Sequence, residues 1–192
     1  MPAPSPELLT GLIDDAAVFP PGNAPLDVAV QRHRAHRSSA YAACIGPLLV
    51  PASAAADLTA MATGPLSVGL IVRPGGDAGD ISHARRMLAG TEVDVAGAEC
   101  GWSEGWRESV GDGLPVALEI PRGAGQAAAL DDLAVAVTDG RPVVGKFRTG
   151  ATSSWAWPDE AELAGVIRAF LDRGIPFKLT GGLHHAARGR YA

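Results

Sequence analysis

Short apolar runs alternate with amphipathic or alanine-rich stretches along the whole chain, which is the pattern of repeated β-α units. The last helical stretch has the clearest boundaries, because Pro158-Asp159-Glu160 opens it and Gly174 follows it. No linker interrupts the alternation. The apolar runs predict strands at residues 9–13, 42–50, 66–72, 92–96, 115–120, 143–147 and 177–180. The stretches between them predict helices at residues 26–36, 52–62, 80–89, 103–110, 126–138 and 159–173.

This order of elements predicts an α/β fold of the TIM-barrel-like (β/α) type with about seven parallel strands. A complete TIM barrel has eight strands and typically about 250 residues, whereas this chain has 192. The chain stops where a seventh helix and an eighth strand would follow. We therefore expect a single barrel-like domain over residues 1–192 that lacks its last unit. Such a barrel either relies on a partner subunit or is a shortened version of a longer parent.

A doubly wound open sheet is the structural alternative. That fold commonly binds nucleotides through a Gly-x-Gly-x-x-Gly segment after its first strand. This chain has no such segment after its first predicted strand.

The composition argues against some classes of binding partner. The chain is 47% hydrophobic and 19% charged, which is typical of one well-packed domain. A net charge of −5 and the lack of a dense basic run disfavour binding to nucleic acid or an anionic membrane. The densest basic stretch, residues 31–37, is interpreted as a solvated helix end. Cys44 and Cys100 are expected to be reduced core thiols. No membrane span or signal peptide is evident, so a cytoplasmic protein is expected.

The chain contains only two lysines against fourteen arginines. Lys146 and Lys178 each lie near the end of an apolar run, with one helix-like stretch between the runs. Two neighbouring parallel strands would bring them together, because adjacent strands lie roughly 4.8 Å apart. Burial and a second ammonium both lower the pKa of a lysine from about 10.4 toward neutrality, so that the amine can form a Schiff base. Alternatively, an arginine-biased composition has left two lysines at strand ends by chance.

Polar residues concentrate at or just after the carboxyl ends of the predicted strands, where TIM barrels have their active sites. Burial of such groups is costly unless they are paired or hydrogen-bonded. Glu119 follows three apolar residues in a buried strand, and we expect it to pair with Lys146 in a structural or a catalytic role. The other candidate substrate-binding residues are Asp14, Arg148, Thr149, Thr180, Gly181, Gly182, His184 and His185.

Four segments resemble deoxyribose-phosphate aldolase, a class I aldolase on a TIM barrel, and they occur in that family's order. Residues 146–150 resemble its sixth-strand Lys-Thr-Ser-Thr-Gly, and residues 177–182 resemble its seventh-strand Phe-Lys-x-x-Gly-Gly. Residues 92–95, Glu-Val-Asp-Val, look like the segment that carries its proton-transfer aspartate. Residues 12–14, Leu-Ile-Asp, are similar to part of its first strand. Each match is short, so the resemblance depends on their order and on the two lysines.

The resemblance implies a role for each matching residue. Lys146 would be the Schiff-base nucleophile and Lys178 its electrostatic partner, and Asp94 would move protons through water. Gly181 and Gly182 would donate backbone N–H groups to a phosphate or another anion.

The chain also departs from the family pattern. Phe147 and Arg148 change the size and charge of the pocket expected beside the sixth strand. His184 and His185 stand where the family usually has Arg followed by Ser or Thr, and the family's eighth-strand phosphate loop has no counterpart in this sequence.

The sequence therefore predicts a Schiff-base-forming aldolase or lyase that acts on a small aldehyde or keto substrate without a cofactor. The chain is also a candidate homo-oligomer. A barrel without catalytic activity, used for binding or assembly, is the alternative that the missing eighth unit favours. A metal-dependent barrel hydrolase or lyase is less favoured, because adjacent histidines on an extended segment point to opposite faces. No metal site is predicted.

Overall fold

The computed structural model describes residues 6–61, 63–151 and 156–181 of the chain. Parallel strands and helices alternate through these residues, and the strand order is β1-β2-β3-β4-β5-β6-β7. The strands are β1 Ile13–Asp15, β2 Ile45–Pro51, β3 Leu66–Ile71, β4 Val93–Gly101, β5 Val116–Glu119, β6 Val143–Arg148 and β7 Phe177–Thr180. The helices are α1 Pro6–Leu9, α2 Leu26–Arg37, α3 Ala55–Met61, α4 Gly79–Leu88, α5 Trp106–Val110, α6 Gln126–Thr138 and α7 Glu160–Asp172.

The chain divides into two compact units, and the division passes through β4. The first unit is Met1–Glu99 with Gly105–Leu114. The second unit is Cys100–Glu104 with Pro115–Ala192. None of the described helices is long and apolar enough to cross a membrane.

In the first unit, β1, β2, β3 and most of β4 are consecutive parallel neighbours. Helix α4 packs on β3 and also contacts α3 and α5. The core is formed by every second residue of the strands and by one face of α4. Side chains alternate between the two faces of a strand, and residues three or four apart share a face of a helix. The fully buried members of this core include Leu48, Val50, Val68, Leu70, Ile81 and Leu88.

In the second unit, β5 pairs with β6 and β6 pairs with β7, all in parallel. The end of β4 belongs to this unit, because the Trp102 backbone N–H donates to the Glu119 carbonyl at 2.9 Å. The Trp102 indole N–H also donates to Asp132 of α6 at 2.9 Å. Helix α6 packs on β6 with Ala129, Leu130, Leu133 and Ala136 buried.

Helix α7 has boundaries that the sequence explains. The Asp159 carboxylate caps its first turn by accepting the Glu162 backbone N–H at 2.8 Å. After its last turn, Gly174 adopts a φ of +63°, which a side chain would disfavour. The predicted helix, residues 159–173, therefore consists of the observed helix and the capping residue at each end.

One glycine decides which face of β6 meets α7. A Cβ atom at Gly145 would overlap the ring of Phe170, which lies on α7 and is fully buried. The same Phe170 ring stacks on Phe177 of β7, with 4.9 Å between ring centroids. Gly145 and Phe177 are register partners, so α7 covers this face of both strands. Residues of the other parity, including Lys146, therefore point away from α7.

The predicted fold class is confirmed: the described residues form seven parallel strands with helices between them, an α/β fold compatible with a TIM-barrel-like arrangement. Residues 126–138 and 177–180 have the predicted type and bounds. The first predicted strand was misplaced, because residues 6–9 are helical and β1 begins only at Ile13. The fourth extends to Gly101, since it continues through small residues that carry little strand signal.

Candidate functional site

Three charged residues lie at one level of three consecutive strands in the second unit. Glu119 of β5 is the register partner of Lys146 of β6, and Lys146 is the register partner of Lys178 of β7. Register partners in neighbouring parallel strands project on the same face of the sheet. The prediction that the two lysines occupy matching positions on neighbouring parallel strands is therefore confirmed.

The Glu119 carboxylate is shared by two cations of β6. Lys146 Nζ lies 2.9 Å from Glu119 Oε2, and Arg148 Nε donates to Glu119 Oε1 at 3.2 Å. The distance makes the contact between Lys146 and Glu119 an ion pair. The contact does not have the alignment of a hydrogen bond, since Glu119 Oε2 has no hydrogen-bond partner among the described residues. The side chains of Lys146 and Glu119 are only 8% and 11% exposed. Burial makes their pairing necessary, since an isolated buried charge is costly.

Two threonines extend this face beyond the lysines. Thr180 is the register partner of Arg148 and lies two residues after Lys178. The Thr180 carbonyl accepts two hydrogen bonds from Thr149, one from the backbone N–H at 2.8 Å and one from the side-chain hydroxyl at 3.2 Å. Thr149 is thereby fixed and buried. The Thr180 hydroxyl oxygen is also buried, yet it has no hydrogen-bond partner among residues 6–61, 63–151 and 156–181.

Gly181 follows β7 with a φ of +81°. A Cβ atom at this position would come within 3.2 Å of Arg148 Nη1. The Arg148 guanidinium therefore lies against the backbone that follows the Lys178 strand. A larger residue at 181 would strain the backbone and crowd the guanidinium.

Arg122, which follows β5, makes its contacts on the face of the sheet that α7 covers. Its guanidinium pairs with the Glu162 carboxylate of α7 and donates to the Ala156 carbonyl at 2.7 Å. It also lies 6.0 Å from the centroid of the Phe147 ring, which is fully buried. These contacts attach the loop after β5 to α7.

The remaining predicted site residues of the first unit have different surroundings. Asp14 of β1 is exposed, and its carboxylate lies beside Gly46 of β2. Asp94 is exposed and is the second residue of β4, so it stands at the amino end of its strand. It lines a cleft of about 640 Å³ with His33 and Glu92. The acidic residue near the carboxyl end of the first unit's part of β4 is Glu99, which is 8% exposed.

Sequence reasoning missed Glu99, because the predicted fourth strand ended at residue 96. It also placed His33 in a solvated helix end, which is wrong. The His33 side chain is 3% exposed, and its Nδ1 lies 3.1 Å from Asp15 Oδ2. Asp15 also accepts the Ala17 backbone N–H at 3.1 Å, as expected for a residue that caps the turn after the first strand.

Gly182, His184 and His185 lie outside the described residues, so the proposals for them stay predictions. Within the described ranges, no group of three or more His, Cys, Asp or Glu side chains is arranged to hold a metal ion.

Comparison of the chain with family models, curated proteins and solved structures finds no match. The resemblance to class I aldolases therefore depends on the residues themselves and on the positions that the fold gives them.

Proposed function

We propose that the second unit carries a Schiff-base site of the class I aldolase or lyase type, with Lys146 as the nucleophile. The observation that supports this proposal most strongly is the register of Lys146 with Lys178 and Glu119 at one level of β5, β6 and β7. Two of the three side chains, those of Lys146 and Glu119, are nearly buried. A purely structural ion pair needs one lysine and one carboxylate, whereas here the chain's other lysine occupies the adjacent register position.

The two lysines have different parts in this proposal. Lys146 is the more buried of the two, whereas Lys178 is half-buried. Shelter from water suits the residue that forms the imine, because water hydrolyses it. Lys178 then supplies the neighbouring positive charge.

The covalent step conserves charge at the ion pair. The neutral Lys146 amine attacks the carbonyl carbon, and a proton moves from nitrogen to oxygen to give a carbinolamine. Loss of the hydroxyl group as water, with the proton that Glu119 had taken from the Lys146 ammonium, leaves an iminium cation on Nζ. The ammonium and the iminium carry the same charge at the same atom, so Glu119 stabilises the cation before and after the reaction.

We assign the proton transfers at this site to Glu119. Its Oε2 lies 2.9 Å from Lys146 Nζ, within reach of the protons that must move. The resemblance gave this role to Asp94, but that residue is exposed at the amino end of β4. Catalytic groups in barrels of this type come from the carboxyl ends of the strands.

Reductive trapping tests the proposal. The protein is incubated with small aldehydes and ketones and borohydride, and its intact mass is measured beside Lys146→Met and Arg168→Met variants. Arg168 is a suitable control because its side chain is 77% exposed on α7 of the same unit. The wild type and the control should gain the mass of the carbonyl compound less one oxygen atom.

The Lys146→Met variant should gain no such mass at that site. Absence of any adduct from the folded wild type would reject the Schiff-base proposal. That result would favour the alternative of a barrel scaffold in which the Glu119–Lys146 ion pair is structural.

A further inference from the structure

We infer that the substrate is a small 2-oxo acid whose carboxylate is bound by Arg148, an inference that rests on the proposed Schiff-base function. A 2-oxo acid has its carbonyl carbon bonded directly to its carboxylate carbon. The site must therefore present a nucleophilic amine and a carboxylate-binding group very close to each other.

Arg148 is close to the nucleophile in this way. It lies two residues after Lys146 on β6, so the two side chains project on the same face. Lys146 contacts one oxygen of Glu119 and Arg148 contacts the other. The amine and the guanidinium are thus separated by the width of a single carboxylate, and a small planar molecule can contact both.

The guanidinium retains binding capacity. Its Nε is used by Glu119, while Nη1 and Nη2 donate no hydrogen bond to the residues that the structure describes. The side chain is 35% exposed, so a ligand can reach it. The pair of terminal nitrogens forms the planar fork that binds a carboxylate through two parallel hydrogen bonds. Gly181 has no Cβ that would crowd Nη1.

The Thr180 hydroxyl is an independent indication of a ligand at this position. Thr180 is the register partner of Arg148, so it projects on the same face. Its buried hydroxyl oxygen has no hydrogen-bond partner within the described ranges. Buried polar atoms in folded proteins are almost always hydrogen-bonded, and exceptions commonly mark a binding site. A substrate carboxylate on Arg148 would accept the hydrogen bond that Thr180 can donate.

The spacing favours a carboxylate over a phosphate ester. In a phosphorylated sugar or triose, the phosphorus is separated from the carbonyl carbon by at least one carbon and one oxygen. If a phosphate were bound at Arg148, that longer connection would have to fit between Arg148 and Lys146. These two residues already contact the same Glu119 carboxylate. The carboxylate of a 2-oxo acid needs no such connection.

Graded trapping with pyruvate and with methyl pyruvate tests the inference. The two probes share the reactive carbonyl, and only pyruvate carries the negative charge. Each is titrated against the wild type, Arg148→Met, Arg148→Lys and the Arg168→Met control with borohydride present. The readout is the concentration that gives half-maximal adduct on intact mass.

We expect Arg148→Met to raise the pyruvate concentration that gives half-maximal adduct at least about tenfold, as loss of a charge-assisted hydrogen-bond pair predicts. The methyl pyruvate concentration that gives half-maximal adduct should change by less than about threefold, which corresponds to less than about 1 kcal/mol of binding free energy. Arg148→Lys should give an intermediate result for pyruvate, because it keeps the charge but lacks the fork. The control should match the wild type with both probes.

Two other outcomes are distinguishable. Equal shifts for both probes would overturn the inference, because Arg148 would then act only by holding Glu119, while the Schiff-base proposal would stand. No adduct with either probe, or with any carbonyl compound, would reject the Schiff-base proposal, and the 2-oxo acid inference would fail with it.

Discussion

Each unit of the chain contains a buried acid–base pair, and the two pairs differ in what surrounds them. In the first unit, Asp15 and His33 meet at 3.1 Å, and Asp15 also caps the turn that follows β1. In the second unit, Glu119 and Lys146 meet at 2.9 Å in the strands themselves. Lys178 occupies the same level, and Arg148 shares the carboxylate. The first pair connects α2 to the turn after β1, whereas the second has two further cations on its face of the sheet.

The arginines near the first pair support this contrast. Arg37 at the end of α2 donates to the Ile45 carbonyl at 2.6 Å, and Arg34 donates to the Gly64 carbonyl at 3.2 Å. Both side chains satisfy backbone carbonyls outside their own helix. Charged groups that share one level of adjacent strands are therefore a better indication of chemistry here than charged groups at the ends of helices.

The largest effect on stability should come from breaking the second pair. Glu119→Ala should lower the free energy of unfolding by about 3 kcal/mol, because buried Lys146 loses an ion-pair partner. Urea unfolding measures this loss. The double variant Glu119→Leu with Lys146→Met should recover much of it, since apolar replacement removes both charges. A loss below about 0.5 kcal/mol for Glu119→Ala would place the pair in the class of weak surface ion pairs.

A second test concerns the division of β6 into two faces. Gly145→Ala should cost about 1 to 3 kcal/mol, because the added methyl group overlaps the buried Phe170 ring. Gly165→Ala is the matched control on α7, where an added Cβ meets nothing within 4 Å. That control should be neutral or stabilise by up to about 1 kcal/mol, since alanine is the better helix former. Equal effects of the two changes in thermal or urea unfolding would contradict the packing of α7 on this face.

The smallest effect should come from the first pair. Asp15→Asn should cost about 1 kcal/mol, because the amide oxygen can keep one of the two contacts, with the imidazole or with the Ala17 N–H, while the amide nitrogen cannot accept the other hydrogen bond. Adduct formation with carbonyl compounds should not change. If Asp15→Asn abolished the adduct while the protein remained folded by circular dichroism, the distinction between the two units would fail.

Much of the fold followed from the pattern of apolar positions, and the register of the lysines followed from the β-α order. Strand β7 and helix α6 have their predicted bounds, because glycines with positive φ, which interrupt regular structure, lie close to both ends of each. The sequence could not predict that Arg148 shares Glu119 with Lys146, because that contact depends on side-chain conformation. It also could not predict the burial of His33, because its partner Asp15 is distant in the sequence.

Strand β4 shows a third kind of difficulty. Its second half, residues 97–101, contains two glycines and an alanine, which carry little strand signal. The prediction therefore ended the strand early and left Glu99 unnoticed. The same early end made Asp94 look central in its strand, although it lies at the amino end.

The most direct test of the account is to locate the trapped adduct within the chain. The sequence contains two lysines, so a digest with mass spectrometry separates an adduct on Lys146 from one on Lys178 or on the N-terminal amine. The account predicts that the reduced adduct formed with pyruvate lies on Lys146 and that Lys178 remains unmodified. An adduct confined to Lys178 or the N-terminus would contradict it, because the nucleophile would then lie outside the buried pair with Glu119.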